Sequence, residues 1–186
     1  MSLRDVTVLI LMCLAMYLAG LGAIPPLDRD EARFAQASKQ MLETGDYVDI
    51  RFQDVPRYKK PVGAYWAQAA TTGLLSSDRS AIWTYRVPSV LGATAAVLLT
   101  LALARLFMAR RMALLAAGVL ATSLLLGAEA HMAKTDALLL ATVVAVQLGL
   151  ARAGSDRRDR QPGSCSGSGS GRAYCRRARS RRWSRS

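Results

Sequence analysis

The sequence contains few of the residues that build disulfide or zinc sites. Its 186 residues include three cysteines and one histidine, His131. Cys13 lies inside an apolar run, and Cys165 and Cys175 have no CxxC spacing. Neither a disulfide framework nor a structural zinc site is therefore predicted, and His131 is interpreted as a polar residue of a short link. The sequence also has no glycine-rich nucleotide-binding loop.

Acidic residues are scarce relative to basic ones, with 13 Asp and Glu against 25 Lys and Arg and a formal net charge of +12. The excess is uneven along the chain. Residues 1–151 hold 14 basic and 11 acidic residues, whereas residues 152–186 hold 11 and 2. Because most of the surplus lies in this last segment, the charge does not predict a nucleic-acid partner for the rest of the chain.

Long apolar blocks dominate the chain, and hydrophobic residues make up 52% of it, as in an integral membrane protein. The blocks predict spans at Val6–Ile24, Val87–Phe107, Met112–Ala128 and Ala137–Ala151. A secretory signal peptide is the alternative for the first block, but its length and the later spans favour a retained span. The predicted fold is all-α, with about four transmembrane helices and a large outer loop.

The composition divides the chain into a first span (1–27), a charged loop (28–86), three further spans (87–153) and a tail (154–186). In the tail 23 of 33 residues are Ser, Arg or Gly, which predicts disorder. Out-of-frame reading of GC-rich coding sequence yields such a composition, so we expect a frameshifted or truncated end. A genuine basic tail attracted to anionic lipids is the alternative.

The short basic segments set the predicted orientation. Arg4, the turn with Arg105, Arg110 and Arg111, and the residues from Arg152 onward fall on one side of the predicted spans. The positive-inside rule makes that side cytoplasmic. The loop 28–86 and the link Glu129–Asp136 then face the periplasm or the cell exterior.

Two helices are predicted within the loop. Asp28 is interpreted as the N-cap of the first, Glu31 as its capping-box partner and Gly45 as its end. Pro61 suits the first position of the second helix, Val62–Leu75. We expect both helices to lie on the bilayer surface. The residues that indicate this position are Phe34, Ala37, Met41 and Leu42 in the first helix and Tyr65 and Trp66 in the second.

Two carboxylates of the outer side are candidate functional residues. Helix capping accounts for Asp28 and Glu31 but leaves Asp30 unexplained. Asp136 lies at the outer mouth of the fourth span, where an acid is costly; a carboxylate that pairs with Lys134 or caps its helix is the alternative reading. Because the predicted topology brings Asp30 and Asp136 to one face, each supports a functional role for the other.

Basic residues cluster just before the second loop helix, at Arg57, Lys59 and Lys60. Cations at headgroup depth, beside a helix N-terminus, suit a phosphate group. Generic attraction to anionic lipid headgroups is the alternative, and charge alone does not separate the two.

Four motifs follow one another in this part of the chain: Asp30-Glu-Ala-Arg-Phe-Ala35, Met41-Leu-Glu-Thr-Gly-Asp-Tyr47, Arg57-Tyr-Lys-Lys-Pro-Val-Gly-Ala-Tyr-Trp66 and Tyr85-Arg-Val-Pro-Ser89. In this order they resemble the amino-terminal part of bacterial membrane glycosyltransferases related to protein O-mannosyltransferases and to the lipid A aminoarabinose transferases. The resemblance covers roughly residues 6 to 153 and implies a GT-C fold, in which further spans and often a soluble domain follow.

The resemblance also implies roles for individual residues. Asp30 would be the catalytic base and Glu31 the second acid of its motif, while Asp136 would match an acid of the second outer loop. Lys60 would engage the phosphate of the lipid carrier. Aminoarabinose transferases have a metal-holding acid where this chain has Lys59, which argues against a divalent metal cofactor.

We therefore expect a glycosyltransferase that moves a sugar from a polyprenyl-phosphate carrier to a lipid or protein acceptor. Its expected location is the outer face of the bacterial inner membrane, among membrane lipids. The 186-residue form is expected to be a truncated fragment without turnover. The alternative is a non-catalytic membrane or transporter component whose basic loop binds anionic lipid headgroups.

Overall fold

A computed structural model describes residues 3–26, 28–57, 60–76 and 79–160, and the side chains of these up to residue 155. Seven helices and one short antiparallel hairpin occur in these ranges. In chain order they are α1 (Leu3–Tyr17), α2 (Arg29–Thr44), β1 (Arg51–Phe52), β2 (Val55–Pro56), α3 (Val62–Leu75), α4 (Ile82–Phe107), α5 (Arg110–Ala121), α6 (Leu124–Ala130) and α7 (Asp136–Arg160).

Within the described residues, α4 and the Asp136–Ser155 part of α7 are long and apolar enough to cross a membrane. Helices α5 and α6 form a third candidate span that is bent by 57° at the break between them. The predicted first span is a helix only from Leu3 to Tyr17, 15 residues, and continues through turns to Ile24. The chain is therefore a multi-pass helical membrane protein whose described residues give two candidate spans, or three if the bent pair is one span, and α1 is not among them.

Helix α4 is the central element of the membrane part. One buried apolar cluster joins it to α1, α5, α6 and α7, with Leu9, Val97, Ala117 and Ala130 among its members. Residues from four helices converge on α4 because their small alanines allow close approach of helix backbones. The ends of α4 therefore fix where the outer loop and the opposite turn can lie.

Helix α4 begins at Ile82, earlier than the predicted Val87, and includes Pro88. A proline inside a helix leaves the carbonyl four residues earlier without its N–H partner. Here that carbonyl belongs to Thr84, and the Thr71 hydroxyl lies 3.0 Å from its oxygen. The same hydroxyl also lies within bonding distance of Ala67 O and Gln68 O in α3, so α3 places a possible donor beside the free carbonyl where the helix continues through Pro88.

The predicted third span, Met112–Ala128, is divided at Thr122 and Ser123. Their hydroxyls donate to the carbonyls of Gly118 at 3.0 Å and Leu120 at 2.8 Å. Such local side-chain bonds compete with the helical backbone pattern. The Tyr17 hydroxyl also donates to Ala121 at 2.8 Å, so the carbonyls at the break are satisfied within the protein.

In the loop 28–86, the predicted bounds of both helices are confirmed. Gly45 ends α2 with φ of 72°, the left-handed conformation that favours glycine. Pro61 precedes α3 as its N-cap and is not its first helical residue. The chain after Gly45 forms the hairpin β1–β2, and the basic cluster before α3 includes Lys59, which lies outside the described residues.

The apolar face of α2 does not face lipid as predicted. Phe34 and Met41 pack with Ile50 and Tyr65 in a cluster between α2, the hairpin and α3. Tyr65, expected at headgroup level, is fully buried there, whereas Trp66 is half exposed and donates to Tyr47 O at 2.8 Å. The outer loop therefore folds on its own small core.

The fourth predicted span, Ala137–Ala151, is longer in the structure, where α7 starts at Asp136 and continues to Arg160. The helix thus includes the first residues of the segment predicted as a disordered tail. The part of that tail from residue 161 lies outside the described residues.

Gly92 sets the distance between α4 and α7. A Cβ added at Gly92 would lie 2.9 Å from Leu138 N and 3.0 Å from Ala137 C, both backbone atoms. Real Cβ atoms do not approach backbone so closely, so the two helices would have to separate. This contact holds the start of α7 against the outer half of α4.

We predict that Gly92→Ala destabilises the protein by about 1–3 kcal/mol through overpacking at this contact. Gly149→Ala is the matched control because a Cβ at that position in α7 meets nothing within 4 Å. The control gains up to about 1 kcal/mol of helix propensity. Thermal unfolding in detergent measures both changes, and an equal response of the two variants would contradict the packing interpretation.

Candidate functional site

Asp30 lies on the surface of the first turn of α2. Asp28 caps this helix, and its Oδ1 accepts a hydrogen bond from Asp30 N at 3.0 Å. Asp30 Oδ1 lies 3.6 Å from Arg33 Nη1 and 3.8 Å from Arg57 Nη2. More than half of its side chain, 55%, is exposed. The Asp30 carboxylate therefore lies on the protein surface between two cations.

Packing fixes the position of Arg57, although it lies on a loop. Its side chain is only 12% exposed, its Nε donates to Tyr65 Oη at 3.2 Å, and its Cζ lies 5.6 Å from the centroid of the Phe34 ring. The Phe34 and Tyr65 rings stack with centroids 5.0 Å apart. The arginine is held by a cation–π contact and a hydrogen bond, and its guanidinium reaches Asp30.

Glu31, next to Asp30 in the chain, points in the opposite direction, into the protein. Its Oε1 accepts a hydrogen bond from Arg86 Nε at 2.7 Å and another from Ala133 N at 3.1 Å. Both Glu31 and Arg86 side chains are 1% exposed. The predicted capping box is therefore wrong, because the Glu31 carboxylate bonds to α4 and to the α6–α7 link instead of the start of α2.

Arg86 extends this ion pair to the end of α1. Its Nη1 donates to the carbonyls of Leu21 at 2.7 Å and Ile24 at 2.8 Å, and its Nη2 donates to Pro25 at 3.4 Å. All three guanidinium nitrogens thus have acceptors, which makes burial of this charge tolerable. One arginine links the turns after α1, the first turn of α2, and α4.

A second contact joins α2 to the link that precedes α7. Lys134 Nζ forms an ion pair with Asp28 Oδ2. The hydrogen bond from Lys134 lowers the pKa of the Asp28 carboxyl below its usual value, and the same bond raises the pKa of Lys134. The predicted alternative, Lys134 as the partner of Asp136, is not what the structure shows. Asp136 is exposed at the first position of α7, two residues after Lys134.

The structure thus brings some predicted residues together and leaves others apart. Asp30 and Arg57 are in contact, and Asp136 shares the outer end of the protein because residues 133 and 134 bond to the first turn of α2. Lys60 is exposed and directly precedes Pro61, the N-cap of α3. Lys59 lies outside the described residues.

Sequence reasoning missed Arg86 as the partner of Glu31 and Lys134 as the partner of Asp28. Each pair joins residues far apart in the chain, so no local spacing indicates it. A weak signal for Arg86 is its position, a charge directly before Val87 and Pro88 at the start of a long apolar run. A buried charge of this kind requires a partner.

A cavity of about 430 Å³ lies beside the Glu31–Arg86 pair, lined also by Tyr17, Leu124 and His131. Glu31 Oε2 is buried there with no hydrogen-bond partner. The nitrogens of His131 lie 2.8 Å from Gly127 O and 3.0 Å from Ala19 O, so this residue links α6 to the end of α1.

The described residues do not supply the donor set of a metal centre. Across residues 3–26, 28–57, 60–76 and 79–160, no group of three or more His, Cys, Asp or Glu side chains could hold a metal ion. The carboxylates of the outer end are paired with Arg33, Arg57, Arg86 and Lys134 instead.

The fold is that of a GT-C membrane protein. The structure superimposes on the crystal structure of ArnT from Cupriavidus metallidurans in the apo state with a TM-score of 0.71 and 21% sequence identity. The match covers 78% of this chain and 27% of that one. At this identity the likeness shows the fold.

The sequence defines the family. The pattern of the dolichyl-phosphate-mannose-protein mannosyltransferase family matches residues 59–167, more than half of the chain. The chain therefore belongs to this family. The match also continues past residue 153, into the segment predicted as an out-of-frame tail.

Curated relatives with similar sequences are bacterial. An undecaprenyl phosphate-alpha-4-amino-4-deoxy-L-arabinose arabinosyl transferase from Pectobacterium carotovorum is 35% identical over 125 residues, which cover 67% of this chain and 22% of the relative. A protein of the same name from Erwinia tasmaniensis is 35% identical over 117 residues, covering 62% and 21%. The chain thus spans about a fifth of the length of these relatives.

We predict that Arg86→Met and Glu31→Gln each destabilise the protein by about 3–5 kcal/mol, because each leaves a buried charge without its partner. Denaturant unfolding in detergent, followed by circular dichroism, measures the loss.

Lys39→Gln is the control for this prediction. It removes the exposed ion pair between Lys39 and Glu43, whose N–O distance is 3.7 Å. Exposed pairs contribute at most about 1 kcal/mol. A loss at Glu31 and Arg86 no larger than that of the control would show that the buried pair does not support the fold.

Proposed function

We propose that this chain forms the amino-terminal catalytic part of a polyprenyl-phosphate-dependent glycosyltransferase of the inner membrane. The observation that carries the proposal is the exposed Asp30 carboxylate, 3.8 Å from Arg57, at the outer end of a GT-C fold. Family membership and the arabinosyl transferase relatives support the reaction class. The substrates are a sugar on a polyprenyl-phosphate carrier and a lipid or protein acceptor.

In the proposed reaction, Asp30 is the general base. Its carboxylate takes the proton from an acceptor hydroxyl, whose oxygen forms a bond to the anomeric carbon of the sugar. The bond between that carbon and the carrier phosphate oxygen breaks, and the electron pair leaves with the lipid phosphate. Attack and departure on opposite faces invert the configuration. Exposure of Asp30 is required for this role, since an acceptor must reach it.

The carrier phosphate gains charge as it leaves, and cations stabilise that charge. Arg57 and Lys60 are the described candidates, with Lys59 as the third predicted member. Arg57 is held between α2 and α3, while Lys60 precedes the N-terminus of α3. We infer that Arg57 orients Asp30 and the phosphate together, and that Lys60 mainly strengthens carrier binding.

Glu31 has a positioning role in this proposal, in contrast to the catalytic role implied by the resemblance. It is buried and bonded to Arg86, so an acceptor cannot reach it as it reaches Asp30. Its bonds to α4 and to Ala133 N hold the first turn of α2 beside the start of α7. Asp136 would then act as a second acid near the same substrates.

We predict that Asp30→Asn lowers turnover by about 10²–10⁴-fold, the loss typical of a general base. The assay uses a chimera in which residues 1–153 replace the matching part of the Pectobacterium relative. It measures transfer of 4-amino-4-deoxy-L-arabinose from undecaprenyl phosphate to a lipid A acceptor. Asparagine keeps the shape and hydrogen-bonding capacity of the side chain but cannot take up the proton.

Asp54→Asn in the same chimera is the control, because Asp54 is an exposed carboxylate of the hairpin turn. It is expected to leave the rate unchanged. If the Asp30→Asn chimera inserts into the membrane and turns over normally, Asp30 is not the general base. If the parent chimera itself shows no turnover but still binds anionic lipid, the result would favour a non-catalytic membrane component.

The proposed orientation places the Asp30 site outside the cytoplasm. In a chain whose three cysteines are replaced by alanine, Val48→Cys should react with a membrane-impermeant thiol reagent in intact cells, and Ala109→Cys should not. Both side chains are exposed in the structure, so accessibility within the protein does not separate them. Permeabilised cells should label both. Labelling of Ala109→Cys alone in intact cells would show that the topology is the opposite of the proposed one.

A further inference from the structure

The turn between α4 and α5 lies a membrane thickness away from the outer site. From Arg86 to Phe107, α4 rises about 32 Å at 1.5 Å per residue, close to the hydrocarbon thickness of a bilayer. The turn that follows contains a cavity of about 420 Å³. Its lining residues are Arg105, Leu106, Phe107, Met108, Ala109 and Arg110.

Positive charge exceeds negative charge around this cavity. Arg110 uses its Nε and Nη2 to bind both carboxylate oxygens of Asp5 in α1, with an Nε–Oδ2 distance of 2.8 Å. This bidentate pair occupies Asp5 and leaves Nη1 of Arg110 available. Arg105 also lines the cavity, and Arg111, which is outside its lining, follows Arg110 in the first turn of α5. The turn therefore carries three guanidinium groups beside one carboxylate that is already bound.

The same turn exposes large apolar side chains. Phe107 is 73% and Met108 is 54% exposed, and Met112 in the first turn of α5 is also exposed. A water-soluble anion would make no use of these side chains. At the end of a membrane span, guanidinium groups beside exposed apolar side chains match the two chemical parts of an anionic phospholipid, its phosphate and its acyl chains.

We propose that this turn, residues 105–111, is a binding site for one anionic phospholipid of the adjacent leaflet. The lipid phosphate binds the guanidinium groups of Arg105 and Arg111 and the free Nη1 of Arg110. The acyl chains lie over Phe107 and Met108. The site lies at the opposite end of α4 from Asp30, so it does not depend on the proposed transfer reaction.

The Asp5–Arg110 pair has a specific part in the proposal. It anchors α1 to the start of α5 and holds Arg110 at the mouth of the cavity. A bound lipid phosphate would add a second anion to the arginine cluster without displacing Asp5 from Arg110. Lipid binding would therefore reinforce the contact between α1, α4 and α5.

The test measures lipid preference with the complete 186-residue chain in phosphatidylcholine vesicles. Electron spin resonance of spin-labelled lipids gives the association constant of phosphatidylglycerol relative to phosphatidylcholine. The parent chain is expected to prefer phosphatidylglycerol. The Arg105→Gln/Arg111→Gln variant should lose at least about fivefold of that preference, since each arginine near an anionic surface contributes about that factor.

The basic segment at the end of the chain provides the matched control. Arg181→Gln/Arg182→Gln removes the same charge and is expected to keep the preference. An equal loss in both variants would assign the effect to net charge and overturn the site. Arg105→Lys/Arg111→Lys should retain most of the preference, which excludes misfolding as the cause of the glutamine result.

Free phosphate is distinguished from lipid in the same vesicles. Millimolar inorganic phosphate should leave the phosphatidylglycerol preference unchanged if the site takes a lipid. Abolition of the preference by inorganic phosphate would show a general anion site and overturn the proposal. A parent chain without preference for phosphatidylglycerol would overturn it as well.

Discussion

The buried pair of Glu31 and Arg86 is the interaction on which the outer end of this protein depends. Four segments meet at it, because Arg86 holds the carbonyls that follow α1 and the Glu31 carboxylate also binds Ala133 N. Burial of two charges is costly unless they are paired and hydrogen-bonded, and in this pair Glu31 Oε2 alone has no hydrogen-bond partner. The cost makes alternative arrangements unfavourable, so the pair fixes which way the first turn of α2 faces. The adjacent Asp30 is turned outward as a result.

The membrane part positions this pair through α4. The helix passes through Pro88, where Thr71 lies beside the carbonyl that the proline leaves free, and it approaches α7 closely because Gly92 has no side chain. Arg86 at one end and the Arg110–Asp5 contact beyond the other tie α1 to the rest of the bundle. One continuous helix therefore links the candidate transfer site to the basic turn on the opposite side.

Local chemistry made much of the outer loop predictable from sequence, and long-range pairing did not. The start of α2 at Asp28 and its end at Gly45 follow from capping rules that involve only neighbouring residues. The same rules misplaced Glu31, because its partner Arg86 is 55 residues away. The break at Thr122 and Ser123 escaped prediction because these two hydroxyl residues do not interrupt the hydrophobic run enough to separate it into two segments. Asp30 was identified as the carboxylate that capping does not require, and its outward position in the structure is consistent with that reasoning.

The most direct test of the central claim is the coupling free energy between Glu31 and Arg86. A double-mutant cycle would compare the unfolding free energies of Glu31→Gln, Arg86→Met and the combined variant in detergent. If the pair is the constraint described here, the combined variant is about as stable as the worse single variant, because the second change removes a charge that has already lost its partner. Additive losses would show that the two side chains act independently and would contradict the account.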